Sequence, residues 1–139
     1  MIEYWPKSGD SLLAINEPQY TIHVKWTKNY TVDYQKMAFD YAKCGTAVFV
    51  EVINCYQDNV KNDAWFLAGI YLVRQAMELG IKALICRTAV NTPFIQDTFL
   101  NCQHDLEALF NVYDSSSEKY LTVDEVTWLK TYLSSLEIV

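Results

Sequence analysis

Two groups of side chains in this sequence have the types and spacing to do chemistry. Arg74, Glu78 and Lys82 stand four residues apart, so on a helix one acid lies between two bases along a single line. His104 and Asp105 stand together where an apolar helical pattern resumes. A neutral imidazole at that position can take a proton, for instance from a ribose 2′-hydroxyl, provided that an acid and a phosphate clamp are also near. Each group also has a structural reading. The line can be a solvated ladder of ion pairs, worth about 0.2 to 0.5 kcal/mol each. His104 can bond backbone or the Glu78 and Lys82 line, while Asp105 stabilises the first turn of the helix it opens. The positive end of that helix favours the neutral ring by about 0.3 to 1 kcal/mol, and Asp105 pulls the other way.

The elements that must position these residues follow from periodicity. Residues 1–32 read as an extended arm or short hairpin: "YTIHVKW" alternates Tyr20, Ile22, Val24 and Trp26 against Thr21, His23 and Lys25. His23 lies on the polar face of that arm and is expected at the surface. From Thr31 to Tyr56 apolar residues recur at three- and four-residue spacing, which predicts a long amphipathic helix. "KND" at 61–63 reads as a break, with Asp63 as N-cap of a second helix running to about Arg87. That helix is apolar round most of its circumference and is expected to be central and largely buried.

Gly69, Ala76, Gly80 and Ala83 fall within about 80° of one another on it, a stripe of small residues where another backbone can approach closely. Arg74, Glu78 and Lys82 lie on the opposite face. The apolar character of the rest of the helix favours a second reading of them, as a polar line that faces a pocket or partner.

Beyond Thr88, "FIQDTFLNCQ" fits a short helix or an ordered loop. A helix starting near Gln103 or His104 should carry Leu106, Leu109, Phe110 and Tyr113 inward. A polar loop at 114–120 follows. Thr122 and Glu125 have the spacing of a capping box for a last helix that buries Val126, Leu129, Leu133 and Leu136.

Composition limits the function classes. A chain of 139 residues, 51% apolar, is the size of one domain with a real core. Its net charge of −6 disfavours duplex DNA, nonspecific RNA binding and anionic lipid, so a nucleic-acid role needs a local basic patch. No apolar stretch has membrane-span length and the first residues do not read as a secretory signal, so a cytoplasmic protein is expected. In that compartment the sequon at Asn29 has no meaning. Cys44, Cys55, Cys86 and Cys102 have no CxxC pairing and are expected as buried free thiols, with no metal and no cofactor. Asp114 to Glu125 superficially matches a calcium loop, but Lys119 stands where the turn glycine is required. The many aromatic residues suit an interface, although at helical spacing they more often fill a core.

The phrase "YLVRQAMELGIKALICR", followed after a connector by "HDLEALF", resembles the HEPN family of small helical domains. Gln75, Ala76, Glu78, Lys82, Ala83 and Leu84, then His104, Asp105 and Leu106, carry the resemblance, which spans about residues 34–136. It implies an up-down bundle of four or five helices over residues 33–139, often paired as a homodimer. It also implies either metal-independent ribonuclease activity, as in toxins and antiviral defence effectors, or a binding role. The binding relatives contact RNA, a nucleotide or a protein partner such as a nucleotidyltransferase.

Nuclease relatives carry an arginine separated from the histidine by four to six residues. Here those positions hold Asp97, Thr98 and Phe99, and none is basic. The expectation is therefore a binding module that presents Arg74, Glu78, Lys82, His104 and Asp105. The alternative is a ribonuclease in which His104 is the base, with Arg74 or Arg87 brought close by the fold.

Overall fold

The computed structural model describes residues 27–89 and 91–136, with side chains to Leu133. They form five helices: α1 (Tyr30–Asn54), α2 (Asn59–Thr88), α3 (Thr92–Cys102), α4 (Leu106–Asp114) and α5 (Val123–Leu136). The chain is mainly α, as its periodicity predicts, and among the described residues there is no strand. The expected arm or hairpin, including His23, lies outside the described residues up to residue 26. Its last expected residues, 30–32, belong instead to α1, which Asn29 caps by accepting from the Val32 N–H at 3.3 Å. Thr27 is tied back to the same turn, donating its N–H and hydroxyl to the buried Asp33 carboxylate.

α1 and α2 form an antiparallel hairpin, and the turn between them corrects the expected break. Asp58, not Asp63, caps α2, its carboxylate accepting from the Lys61 N–H at 3.0 Å. Lys61, Asn62 and Asp63 are therefore inside the helix, where their moderate propensities do no harm once an earlier cap has set the register. The small residues let the two helices close on each other. A Cβ on Gly69 would stand 2.9 Å from a Phe49 ring carbon, and one on Gly45 would stand 3.0 Å from Val73. At Gly80 the nearest atom is Ala38 Cβ, 4.0 Å away, so close packing is confined to the middle of the hairpin.

The core sits at the other end of α2. Ile81 and Ile85 pack with Leu106, Leu109, Phe110 and Tyr113 of α4 and Leu133 of α5. The inward set expected on α4 is borne out, and Val126 and Leu129 pack half-buried against the same core. α4 starts at Leu106, two or three residues later than its expected start near Gln103 or His104: Gln103 has φ 49°, which ends α3, and Asp105 caps α4 by accepting from the Ala108 N–H at 2.7 Å. "FIQDTFLNCQ" is mostly helix α3.

The polar loop is pinned from inside, because the buried Tyr113 hydroxyl accepts the N–H groups of Tyr120 and Leu121 at 2.8 and 3.0 Å. The capping box forms: Thr122 N–H donates to Glu125 at 2.7 Å, and Glu125 N–H to the Thr122 hydroxyl at 3.3 Å. Lys130 and Lys119 bond the Asp114 carboxylate and hold it below the usual carboxylate range. The calcium-loop lookalike thus has its first oxygen ligand engaged by ammonium groups.

Two expectations need correction. The cysteines are free thiols, but Cys44 is exposed and the other three are only half-buried. α2 is not buried along its whole length. Its positions 60, 64, 67, 71, 74, 78, 81 and 85 follow an unbroken four-three spacing and so form one seam. α4 is 9 residues long, about 13 Å, and reaches only the second half of that seam. Glu78, Ile81 and Ile85 are buried there, whereas Val60, Ala64, Leu67 and Tyr71 are exposed. No helix among the described residues is long and apolar enough to cross a membrane.

Candidate functional site

The turn between α3 and α4 meets α2 where the buried half of the seam begins. Glu78 is the centre. Its side chain is 1% exposed, and it accepts from Lys82 Nζ at 2.6 Å and faces His104 Nδ1 at 3.0 and 3.2 Å. Arg74 stands 3.7 Å from the other oxygen and donates a guanidinium N–H to the His104 carbonyl at 2.8 Å. Arg74, Glu78, Lys82 and His104, separate in the sequence, are thus one cluster. Asp105 stands apart from it, because its carboxylate is engaged in capping α4.

This burial overturns the reading of the line as a solvated ladder. Removing a carboxylate from water costs several kcal/mol, and only well-placed partners on its oxygens offset this. Lys82 and Arg74 come from the turns on either side, at the spacing α2 imposes. His104 comes from outside the helix, aimed by Gln103 in the left-handed region and by the Asp105 cap. A carboxylate offers only lone pairs, so Nδ1 carries the proton and Nε2 is the basic nitrogen of the neutral ring. The imidazole itself is 74% exposed. A buried acid therefore orients an exposed base.

The three basic residues around one carboxylate make this a locally positive spot on an acidic chain. Arg87, the other arginine considered, takes no part: its guanidinium carbon lies 3.9 Å from the centre of the Tyr120 ring. Asp97, Thr98 and Phe99 lie on α3, with Thr98 buried. Phe99 contributes differently, by lying under the Lys82 ammonium with its ring centre 5.4 Å away and meeting Tyr34 edge-on at 5.6 Å.

Sequence alone did not single out Tyr34 and Phe99 as cavity-lining residues. They join Tyr30, Ile95, Gln96 and Leu100 in lining a cavity of about 430 Å³, within the range of small-molecule sites. The available signal was the aromatic pair itself, which helical spacing cannot distinguish from core. Burial first, then proximity to Cys86, Tyr30 and Glu78, pushes the Tyr34 phenol up. Burial also pushes the Cys86 thiol up, to about 11, which keeps it protonated and unreactive at neutral pH.

Among the described residues no group of three or more His, Cys, Asp or Glu side chains is placed to hold a metal ion. Compared with known proteins, the chain matches no family model, no curated protein and no solved structure.

Proposed function

We propose that this chain is a HEPN-like helical binding module that docks a phosphate-bearing ligand, a nucleotide or a stretch of RNA, on the His104 and Arg74 edge of the cluster. The observation that carries the reading is the buried Glu78 carboxylate, which holds Lys82, Arg74 and His104 together and leaves a net positive group with an exposed, oriented imidazole. Charge-assisted bonds from Arg74 suit phosphate oxygens, and His104 adds one through Nε2 when its ring takes up a second proton. The aromatic cavity beside Phe99 suits the flat face of a base.

A binding role fits better than cleavage. Arg74 spends one of its N–H groups on the His104 carbonyl and keeps others for a phosphate, but Lys82 is engaged with Glu78, so within this cluster no second proton donor faces the imidazole for a leaving group. The ribonuclease reading has one specific observation in its favour: a carboxylate that fixes Nδ1–H leaves Nε2 free to act as a base.

One experiment separates the two. Fluorescence anisotropy with a short single-stranded RNA and with a nucleoside monophosphate is expected to show binding that His104→Ala and Arg74→Ala each weaken by about tenfold, the scale of one charge-assisted bond. The same RNA should remain intact in the presence of a chelator. Cleavage without metal that His104→Ala abolishes would replace this reading with the ribonuclease one. No binding of either probe would refute the phosphate assignment.

A further inference from the structure

The turn that joins α1 to α2 brings a thiol, an amine and a carboxylate together, about 25 Å along α2 from Glu78. Cys55 is the C-cap of α1, its N–H bonded to the Glu51 and Val52 carbonyls, which sets its side chain one turn above Glu51. Lys61 lies in the first turn of α2, its N–H held by the Asp58 cap. Its ammonium rests over the Trp65 ring, 4.2 Å from the centre, and is thereby aimed at the end of α1.

The three groups close a triangle. The Cys55 thiol donates to Glu51 Oε1 at 3.2 Å and accepts from Lys61 Nζ at 3.3 Å, while Lys61 donates to the same Oε1 at 3.1 Å. Sulfur and nitrogen thus stand at the separation of a near-attack pair. The bond from Cys55, and then Lys61, hold the Glu51 carboxyl below its usual range; the bond to Cys55, and then Glu51, hold the Lys61 ammonium above its own. At rest the amine is therefore protonated and does not react. Cys55 is half-buried and the Lys61 side chain is 31% exposed, so a small reagent can reach both.

We propose that Cys55 and Lys61 form an oxidant-responsive covalent site, at which a peroxide converts the thiol to a sulfenic acid and the lysine amine then closes on sulfur as a sulfenamide. In the first step Cys55 gives its proton to Glu51 as sulfur attacks one peroxide oxygen. The O–O bond breaks, sulfur is oxidised, and the departing hydroxide takes a proton from the Lys61 ammonium to leave as water. That transfer frees the lone pair of the amine. In the second step nitrogen attacks sulfur, an S–N bond forms and the S–O bond breaks. The hydroxide leaves with the Glu51 proton as a second water, and nitrogen releases one proton to solvent. The link ties the end of α1 to the first turn of α2 and does not depend on the phosphate reading.

Hydrogen peroxide added to the full chain, followed by trypsin and mass spectrometry, tests it. Cys44→Ser, carried throughout, removes the other thiol of the fragment 44–74. The expected product is that fragment uncut at Lys61 and lighter by two hydrogens, which dithiothreitol returns to the cleavable form. In Lys61→Arg, which keeps the charge but has no amine to release, the link should be absent. In urea its yield should fall by at least about tenfold, because the fold no longer holds nitrogen against sulfur. Cys55 left unoxidised, or oxidised with Lys61 still cut, would overturn the proposal. So would a link that persists in Lys61→Arg or forms equally well in urea.

Discussion

The two halves of α2 share one seam and differ in what covers it. From Arg74 to Ile85 the seam faces the α3–α4 turn, α4 and α5, and it contains both the best-buried apolar residues and a buried carboxylate. From Val60 to Tyr71 it continues with the same spacing, but α4 does not reach it, and large apolar side chains stand in solvent. The boundary falls at Arg74, where the polar cluster starts. The contrast shows that spacing determines which residues share a face, while the length of the neighbouring helix determines which of them become core.

The largest expected difference between the halves is in stability. Ile85→Ala should cost about 2 to 5 kcal/mol of unfolding free energy, as a large-to-small change in a sealed core does, whereas Leu67→Ala should cost less than about 0.5 kcal/mol in the monomer. Chemical denaturation of the two variants checks this, and equal losses would erase the distinction. Glu78→Ala follows closely. It leaves the Lys82 ammonium largely buried without its acid, and about 3 kcal/mol of destabilisation is expected.

A smaller pair of effects sharpens the hairpin between the halves. Gly69→Ala places a Cβ against Phe49 and should be neutral to destabilising by about 2 kcal/mol, after the gain in helix propensity is counted. Gly80→Ala meets Ala38 Cβ at 4.0 Å, ordinary van der Waals contact, and should stabilise by about 0.5 to 1 kcal/mol. Thermal melts that rank the two variants in the opposite order would contradict the close approach at Gly69.

The smallest effect concerns the thiols. At pH 8 a thiol reagent should label exposed Cys44 well before Cys86, whose proton is held to about pH 11 by burial. Since this folded value is raised above the ordinary 9.0, the stability linked to it is fully present below pH 9 and is lost as pH rises through about 11. Comparable labelling rates at pH 8 would contradict the burial.

Much of this fold was legible in the sequence, for reasons that particular residues make plain. Leu106, Leu109, Phe110 and Tyr113 carry a short amphipathic period that only one face can satisfy, and Thr122 with Glu125 announces its own cap. The start of α2 was misplaced because Asp58 and Asp63 are equally good caps on paper, and the choice between them depends on where α1 ends at Asn54. The exposure of Val60, Leu67 and Tyr71 was not readable, since it depends on α4 being too short to reach them.

The candidate site was half legible. Four-residue spacing put Arg74, Glu78 and Lys82 on one line, and the sequence raised a bond between His104 and that line as one alternative. What spacing could not supply was the depth of Glu78, which turns a surface ladder into a buried acid. Nor could it show that Arg74 would reach the His104 backbone.

The meeting of the α2 seam with the α3–α4 turn is the contact on which the site depends, and nitrogen NMR of the His104 ring tests it most directly. In the neutral ring Nδ1 should be the protonated nitrogen, and Glu78→Gln, which keeps the shape and removes the charge, should shift the ring toward the Nε2–H form. A ring protonated at Nε2 in the native chain, with no response to Glu78→Gln, would contradict the account.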